Sequence, residues 1–434
     1  MTKQSEKSPE IAFYIGLKNV KKSIEDADLN IGNPGVGGTQ YLFLLTVKKY
    51  NEKYNETKAL LLTDGELDLK DDAVPYVVVK SESEAIRYCE KHNIKVLVLN
   101  ANIADSIDEK KFNTKVKIAL WAHNTLTWSR QLVAARNQSI QYVVCVSKKQ
   151  YENMRDTPCW EKCTYINNII PNEFYENATL SNHAKPMAAY IGSIMPQKGV
   201  HNLLEIWKYV EAEEPEAQLY IYGGANVWNA SAKLGSNGAA DIYYDRVIQR
   251  RMKRLKHPEN IHFMGAKGWK ELDTLLSSTR VGIVNPSHYM RDETFCMSAI
   301  EMEAHKIPVV SRQRNDGLNT TILNEKTGFL GKTDREIAKY ISLLLHDQSK
   351  SMKMGDAARC FARNFTPDNE IYKWKAIAEN TDKCTNCSFS EKKKSSDAKL
   401  LQHDFALKIG YLIESGKAVD LVARKLKKNK KNKR

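Results

Sequence analysis

The chain is 434 residues long, 42% hydrophobic and 27% charged, with a formal net charge of +14. That composition supports two or three packed domains and excludes a disordered or fibrous chain. No apolar run approaches the roughly 18–20 residues that a spanning helix needs, and the polar start MTKQSEKSPE lacks a signal-peptide apolar core, so a cytoplasmic protein is expected.

Short strand-like runs lie at 11–15 (IAFYI), 58–62 (KALLL), 75–79 (PYVVV), 95–99 (KVLVL), 116–121 (VKIALW) and 142–147 (YVVCVS). Helix-like or polar segments separate many of them, an alternation that predicts a parallel sheet wrapped by helices. Beyond the first strand the loop 32–39 (GNPGVGGT) opens a helix, and Gly35, Gly37 and Gly38 would let the backbone approach a phosphate or sugar closely. The loop is not the dinucleotide fingerprint, because Gln40 stands where the third glycine belongs. It is not a Walker loop either, since no Gly-Lys-Ser/Thr follows. His123 ends the run KVKIALWAHNT, where a strand should meet a cleft. A lone histidine is more often structural, but this placement beside Asn124 suits contact with sugar hydroxyls. Trp121 and Trp128 flank it and read as core or cleft walls.

A second series follows the polar stretch 176–186, with strands at 188–193 (AAYIGS), 218–223 (QLYIYG), 260–265 (NIHFMG), 281–285 (VGIVN) and 307–311 (IPVVS). Helix-like segments lie at 200–211, 241–256, 269–278, 294–305 and 333–346, and a domain boundary is expected near 170–186. In open sheets of this kind ligands bind outside the carboxyl ends of the strands, and a cleft between two of them suits a large ligand. Lys198 sits between a strand ending at Gly192 and a helix starting near Val200. It reads as a mobile point cation suited to a diphosphate, or as an exposed surface lysine. Gly223 and Gly224 mark a further strand-end turn, while His262 and His305 read as structural or surface groups.

The most informative stretch is 293–301 (ETFCMSAIE), two carboxylates eight residues apart between a strand and loop and a further strand. It predicts a helix with Glu293 at its start and Glu301 inside. A helix start offers free N–H groups and a positive dipole end, which suit a diphosphate. A carboxylate beside them can accept hydrogen bonds from sugar or ribose hydroxyls. The local reading is a site for a sugar joined to a nucleoside diphosphate. No carboxylate cluster such as Asp-x-Asp stands in a suitable loop, so neither a metal nor a cofactor is expected.

The eight cysteines lack the density of a disulfide scaffold, and Cys384 with Cys387 is half a zinc site at best, with His403 in range, against free thiols in a loop. From residue 391 onward 14 Lys/Arg stand against 5 Asp/Glu, a net +9, and residues 424–434 alone carry eight cations. The segment 400–426 has helix-like apolar spacing. An anionic membrane surface, a solvated tail and a nucleic-acid or protein partner are the readings, with nucleic acid placed last.

Taken together, YIGSIMPQKGVHNLLEIW, QLYIYGG, NIHFMGAKGWKELDTLLSSTRVGIVNPS, ETFCMSAIEMEAHKIPVVS and NEKTGFL resemble, in order, the retaining glycosyltransferases of family 4, the glycosyl transferases group 1 domain, which have the GT-B fold. The first half matches less, through GVGGTQ (35–40), HN (123–124), VCVSK (144–148) and IIPN (169–172), with Asn172-Glu173 replacing the family's Asn-Gly turn. The resemblance implies an α/β fold with two Rossmann-like parallel-sheet domains facing across a cleft. Residues 1–180 would form the acceptor-side domain and 181–365 the donor-binding domain. Residues 366–383 would form a helix crossing back, while 384–434, read as a basic helical extension, lie outside the resemblance.

The activity implied is metal-independent hexosyl transfer with retention. The donor would be a nucleoside diphosphate sugar, UDP-sugar favoured, and the acceptor a glycan or lipid-linked molecule of polysaccharide or lipopolysaccharide synthesis. The resemblance also implies roles. Lys198 would neutralise the diphosphate with the backbone N–H groups of Thr294, Phe295 and Cys296. Glu301 would bind the ribose and Glu293 the transferred sugar. Gly37 and Gly38 would line the donor, and His123 would contact the sugar. Ser193 is a donor-site position where the family often carries Arg, so one cation of the usual pair is missing. A nucleotide-sugar epimerase of the same fold, or a non-catalytic nucleotide-sugar or nucleic-acid binding protein, are the alternatives. Acceptor-dependent nucleotide release separates them.

Overall fold

The computed structural model describes residues 9–20, 24, 27–54, 58–67, 69, 71–101, 114–224, 234–288 and 293–379. The first half forms seven parallel strands: β1 (Ile11–Tyr14), β2 (Ala59–Thr63), β3 (Tyr76–Val78), β4 (Val96–Asn100), β5 (Lys117–Ala122), β6 (Ile140–Cys145) and β7 (Cys163–Tyr165). Their order across the sheet is β3-β2-β1-β4-β5-β6-β7. The second half forms β8 (Met187–Ile191), β9 (Gln218–Tyr222), β10 (Ile261–Gly265), β11 (Val281–Ile283), β12 (Val309–Arg312) and β13 (Gly328–Gly331). These are again parallel, in the order β10-β9-β8-β11-β12-β13.

Central strands such as β2 (ALLLT) and β4 (VLVLN) are buried at every position, which is why they read as continuous apolar runs rather than alternating ones. In each sheet the strand order reverses beside the first strand, between β1 and β4 and again between β8 and β11. Crevices at such reversal points, beyond the carboxyl ends of the strands, are where open α/β sheets bind ligands. The two-domain Rossmann-like fold expected from the motifs is therefore present. Two edge strands escaped the sequence pattern. β7 has only three residues, and β13 (GFLG) begins and ends on glycine, so neither carries a recognisable run.

Helix Pro367–Glu379 returns to the first sheet. Trp374 packs against Phe13 at 5.2 Å and Trp121 at 4.9 Å, within the same apolar cluster as Phe43. Glu370, 4% exposed, accepts hydrogen bonds from the Asn167 backbone (2.9 Å) and side-chain (2.8 Å) nitrogens, fastening the returning helix to the chain as it leaves the first sheet. The cluster continues through Phe295, Ala299 and Ile300, with Phe295 edge-on to Phe365 at 5.4 Å. The segment that carries the paired carboxylates is thus anchored in a core shared by both halves. Among the described residues no helix is long and apolar enough to cross a membrane. Cys384, Cys387, the basic extension 384–434 and the membrane or nucleic-acid contacts expected of it lie outside the described residues.

Candidate active site

A cavity of about 400 Å³ opens beyond the carboxyl ends of β8 and β9, with the glycine loop of the first half on its other side. Lys198 reaches it because the chain turns sharply after β8. Pro196–Lys198 form a short 3-10 turn, and Gly199 follows in a left-handed conformation (φ 78°) before helix Val200–Glu213 begins. A Cβ on Gly199 would lie 2.3 Å from the Ser287 backbone nitrogen, so only glycine lets this turn pack against the loop after β11. The Lys198 Nζ pairs with Glu293 Oε2 at 2.7 Å. Burial opposes the ammonium charge, and Glu293 outweighs that effect, so Lys198 is held above its usual pKa.

Glu293 is 9% exposed and is fixed from several directions. Its backbone N–H donates to Asp316 Oδ2 at 3.0 Å, and its carbonyl accepts the Gly317 N–H. The Asn285 side-chain amide donates to the same Oε2 that Lys198 binds and approaches Cys296 Sγ at 3.7 Å. Burial and then the Glu293 charge push the Cys296 thiol up to about 12, so it stays protonated. Burial also lifts Asp316 to about 6.

The expected helix start needs correction. The helix runs Met297–Ala304 with Cys296 at its N-cap, so Glu293 precedes it rather than opening it. The reason lies in partners distant along the chain: the Glu293 carbonyl is engaged by Gly317 and the Thr294 carbonyl by the Ser147 hydroxyl (2.6 Å), so neither serves as a first-turn helical acceptor. The first-turn N–H groups of the helix therefore begin at Met297, which lines the cavity together with Phe295, Cys296 and Ser298, whereas Thr294 does not.

Glu301 lies one turn into this helix, lines the cavity and is 6% exposed. Burial raises its carboxyl to about 8, a rise that a hydrogen bond from Trp269 partly offsets. Trp269 stacks on His305 at 5.1 Å, and His305 pairs with the Glu301 carbonyl (2.8 Å) and with Asp273 (3.0 Å). His305 is therefore structural, as its sequence context indicated, and it buttresses the floor of the site.

Across the cavity stand Gly35, Gly38, Tyr41 and Asn124. Gly37 is the N-cap of helix Gly38–Lys53 and does not itself line the space. His123 lies behind the wall, 9% exposed, with its ring 4.4 Å from Trp121 and 5.9 Å from Phe43. Burial lowers it to about 3, so the imidazole is neutral. Its carbonyl accepts the Thr294 hydroxyl at 2.7 Å. Thr294 accordingly faces the first half, and with Ser147 and His123 it stitches the two halves together beside Glu293. Ser193 lines the cavity and brings no cation. Sequence reading missed Asn285, Trp269 and Lys267. Lys267 lies in the loop after β10 and lines the space; its position two residues past Gly265 was the available signal. Among the described residues no group of three or more His, Cys, Asp or Glu side chains is placed to hold a metal ion. A lysine with two carboxylates in one cleft, facing a glycine loop, can bind an anion and orient hydroxyl groups beside it.

Residues 171–361 match the family described as Glycosyl transferases group 1. A 127-residue stretch is 31% identical to the Dictyostelium discoideum protein named GDP-Man:Man(3)GlcNAc(2)-PP-Dol alpha-1,2-mannosyltransferase, and it spans 29% of this chain but only 24% of that protein. Among solved structures, a glycosyltransferase from Rickettsia africae aligns with a TM-score of 0.63 at 16% identity, over 86% of this chain and 98% of its own. Anabaena HepE in complex with UDP aligns with a TM-score of 0.61 at 14% identity, over 86% of this chain and 100% of its own. Sucrose-phosphate synthase from Thermosynechococcus elongatus aligns with a TM-score of 0.62 at 16% identity, over 86% and 99%. Over residues 171–361 the chain is thus similar to the glycosyl transferases group 1 family, within a two-sheet fold of the GT-B type.

Proposed function

We propose that this protein transfers a hexosyl group from a nucleoside diphosphate sugar to a glycan or lipid-linked acceptor. One observation carries the reading: Lys198, Glu293 and Glu301 line a single cavity outside the strand-order reversal of the second sheet, opposite Gly35 and Gly38. The diphosphate sits against Lys198 and the Met297–Ser298 end of the helix, where fixed positive charge stabilises the negative charge that develops as the nucleotide departs. Glu301 takes the ribose hydroxyls and Glu293 those of the transferred sugar. Gly38 and its loop close over the donor from the first half, and neutral His123 supports the sugar-side wall.

The transfer keeps the anomeric configuration. The acceptor oxygen bonds to the anomeric carbon on the face from which the phosphate leaves, and the departing phosphate takes the acceptor proton. Closing the halves excludes water and favours transfer over hydrolysis. The relatives support two donor classes: HepE is solved with UDP, and the Dictyostelium relative is named for GDP-mannose and a dolichol-linked acceptor. A lipid-linked acceptor also fits the cation-rich end of the chain, residues 424–434, as a contact with the inner face of a membrane.

The test is a panel of UDP-, GDP- and ADP-sugars, followed by nucleotide release with and without candidate glycan or lipid-linked acceptors, in the presence of a chelator. Acceptor-dependent release by at least one donor is expected, with large losses at limiting donor in Lys198→Ala and Glu301→Ala. Turnover that ignores the acceptor would point to an epimerase instead. Full activity in both variants removes the site assignment.

A further inference from the structure

Glu293 carries two partners on one oxygen. Lys198 Nζ stands 2.7 Å from Oε2, and the Asn285 amide donates to that same atom. The arrangement raises a problem if the site is as proposed above. An arriving diphosphate competes for Lys198, and Glu293, 9% exposed, would lose its counter-ion next to a new anion. A buried carboxylate left without partners is strongly disfavoured.

Asn285 is built to prevent this. β11 ends at Ile283, and Asn285 adopts a left-handed backbone (φ 44°), a conformation that asparagine tolerates better than most residues. The residue is 4% exposed, and its amide lies between Glu293 Oε2 and Cys296 Sγ. The turn is held from outside, because the Arg314 guanidinium donates to the carbonyls of Asn285 and Ser287. The Asn285 amide carries no charge for a phosphate to capture, so it stays with Glu293 when Lys198 leaves.

We propose that Asn285 is the positioning residue of Glu293, holding the carboxylate in its working place while Lys198 exchanges Glu293 for an anionic ligand. This rests on the proposed nucleotide reading for the role of Lys198, but the grip of Asn285 on Glu293 can be tested without it.

Two measurements decide it. The first is calorimetric binding of UDP, GDP and ADP to the full chain and to Asn285→Gly, which keeps the left-handed backbone available and deletes the amide. Affinity is expected to fall about tenfold, in line with loss of a hydrogen bond to a charged group. In Asn285→Gly with Glu293→Gln it should recover to at least the parental value, because no carboxylate is then left stranded. A purely structural Asn285 would give the same loss in both backgrounds, and that result overturns the proposal. The second is the crystal structure of Lys198→Ala. Glu293 Oε2 should remain within hydrogen-bond distance of Asn285, and it should leave that place in Lys198→Ala with Asn285→Gly. A carboxylate that abandons Asn285 as soon as Lys198 is removed refutes the proposal whatever the protein binds. If none of the three diphosphates binds the parental chain, the nucleotide reading fails, and the crystallographic result alone decides the role of Asn285.

Discussion

Replacing Glu301 with glutamine should make the protein more stable, and more so as pH rises. A carboxyl whose usual value is 4.5 is lifted to about 8 by burial. The folded protein therefore keeps a proton on Glu301 over a range where the unfolded chain has released it. Stability from this group is complete below 4.5, declines as pH rises, and levels off above about 8. One pH unit corresponds to about 1.4 kcal/mol, so by pH 7 the wild-type protein has lost about 3 kcal/mol through this residue alone. Glutamine has a similar shape and no titration, so the loss should vanish. The assay is denaturant unfolding of wild type and Glu301→Gln at pH 5 and pH 7.5, followed by a probe near the second sheet. The stability gap between the two proteins should widen by about 3 kcal/mol between those conditions. An equal gap at both would mean that Glu301 is already ionised in the empty cavity, and the account of its burial would fall. Nucleotide binding should move the other way. With Glu301 taking the ribose as proposed, the ionised form is the better acceptor, so affinity should rise with pH up to about 8 in the wild type and stay flat in the variant. A residue that costs stability and serves binding is a common compromise at functional sites.

Other consequences follow from particular contacts. Gly199→Ala forces a Cβ to within 2.3 Å of the Ser287 nitrogen in a left-handed backbone, so about 1–3 kcal/mol of stability and the placement of Lys198 should be lost together, visible as lower melting temperature and weaker nucleotide binding. Ser147→Ala removes a 2.6 Å hydrogen bond to the Thr294 carbonyl that joins the halves beside Glu293, at a cost of about 1 kcal/mol. A double-mutant cycle with Thr294→Val, which deletes the bond to His123, should show coupling, and strictly additive losses would contradict the stitching. Trp374→Ala should cost about 3–5 kcal/mol, because the indole fills the core between Phe13 and Trp121, and unfolding curves would report it. Deleting 415–434 should weaken binding to anionic vesicles at low salt by about 1 kcal/mol for each cation that touches the surface, and unchanged sedimentation with vesicles would remove the membrane reading.

The doubly wound architecture was legible because buried parallel strands need continuous apolar runs, as in ALLLT and VLVLN, and because helices must separate them. The location of Lys198, Glu293 and Glu301 was legible for a related reason: each lies just past a strand-like run, where such sheets open toward a ligand. Spacing alone could not decide the backbone between Glu293 and Cys296. Its carbonyls are engaged by Gly317 and by Ser147, the latter in the other half of the chain, and those long-range contacts outweigh local helix preference and delay the helix to Met297. Asn285 was hidden for the same reason. In the sequence it looks like the last residue of a strand, and only the left-handed turn after β11 brings its amide onto Glu293. What the sequence determined by itself was where apolar surface must be buried and which charged groups stand at strand ends. What tertiary structure alone decided was which of those groups share an atom, because hydrogen-bond partners distant along the chain leave no periodic trace in it.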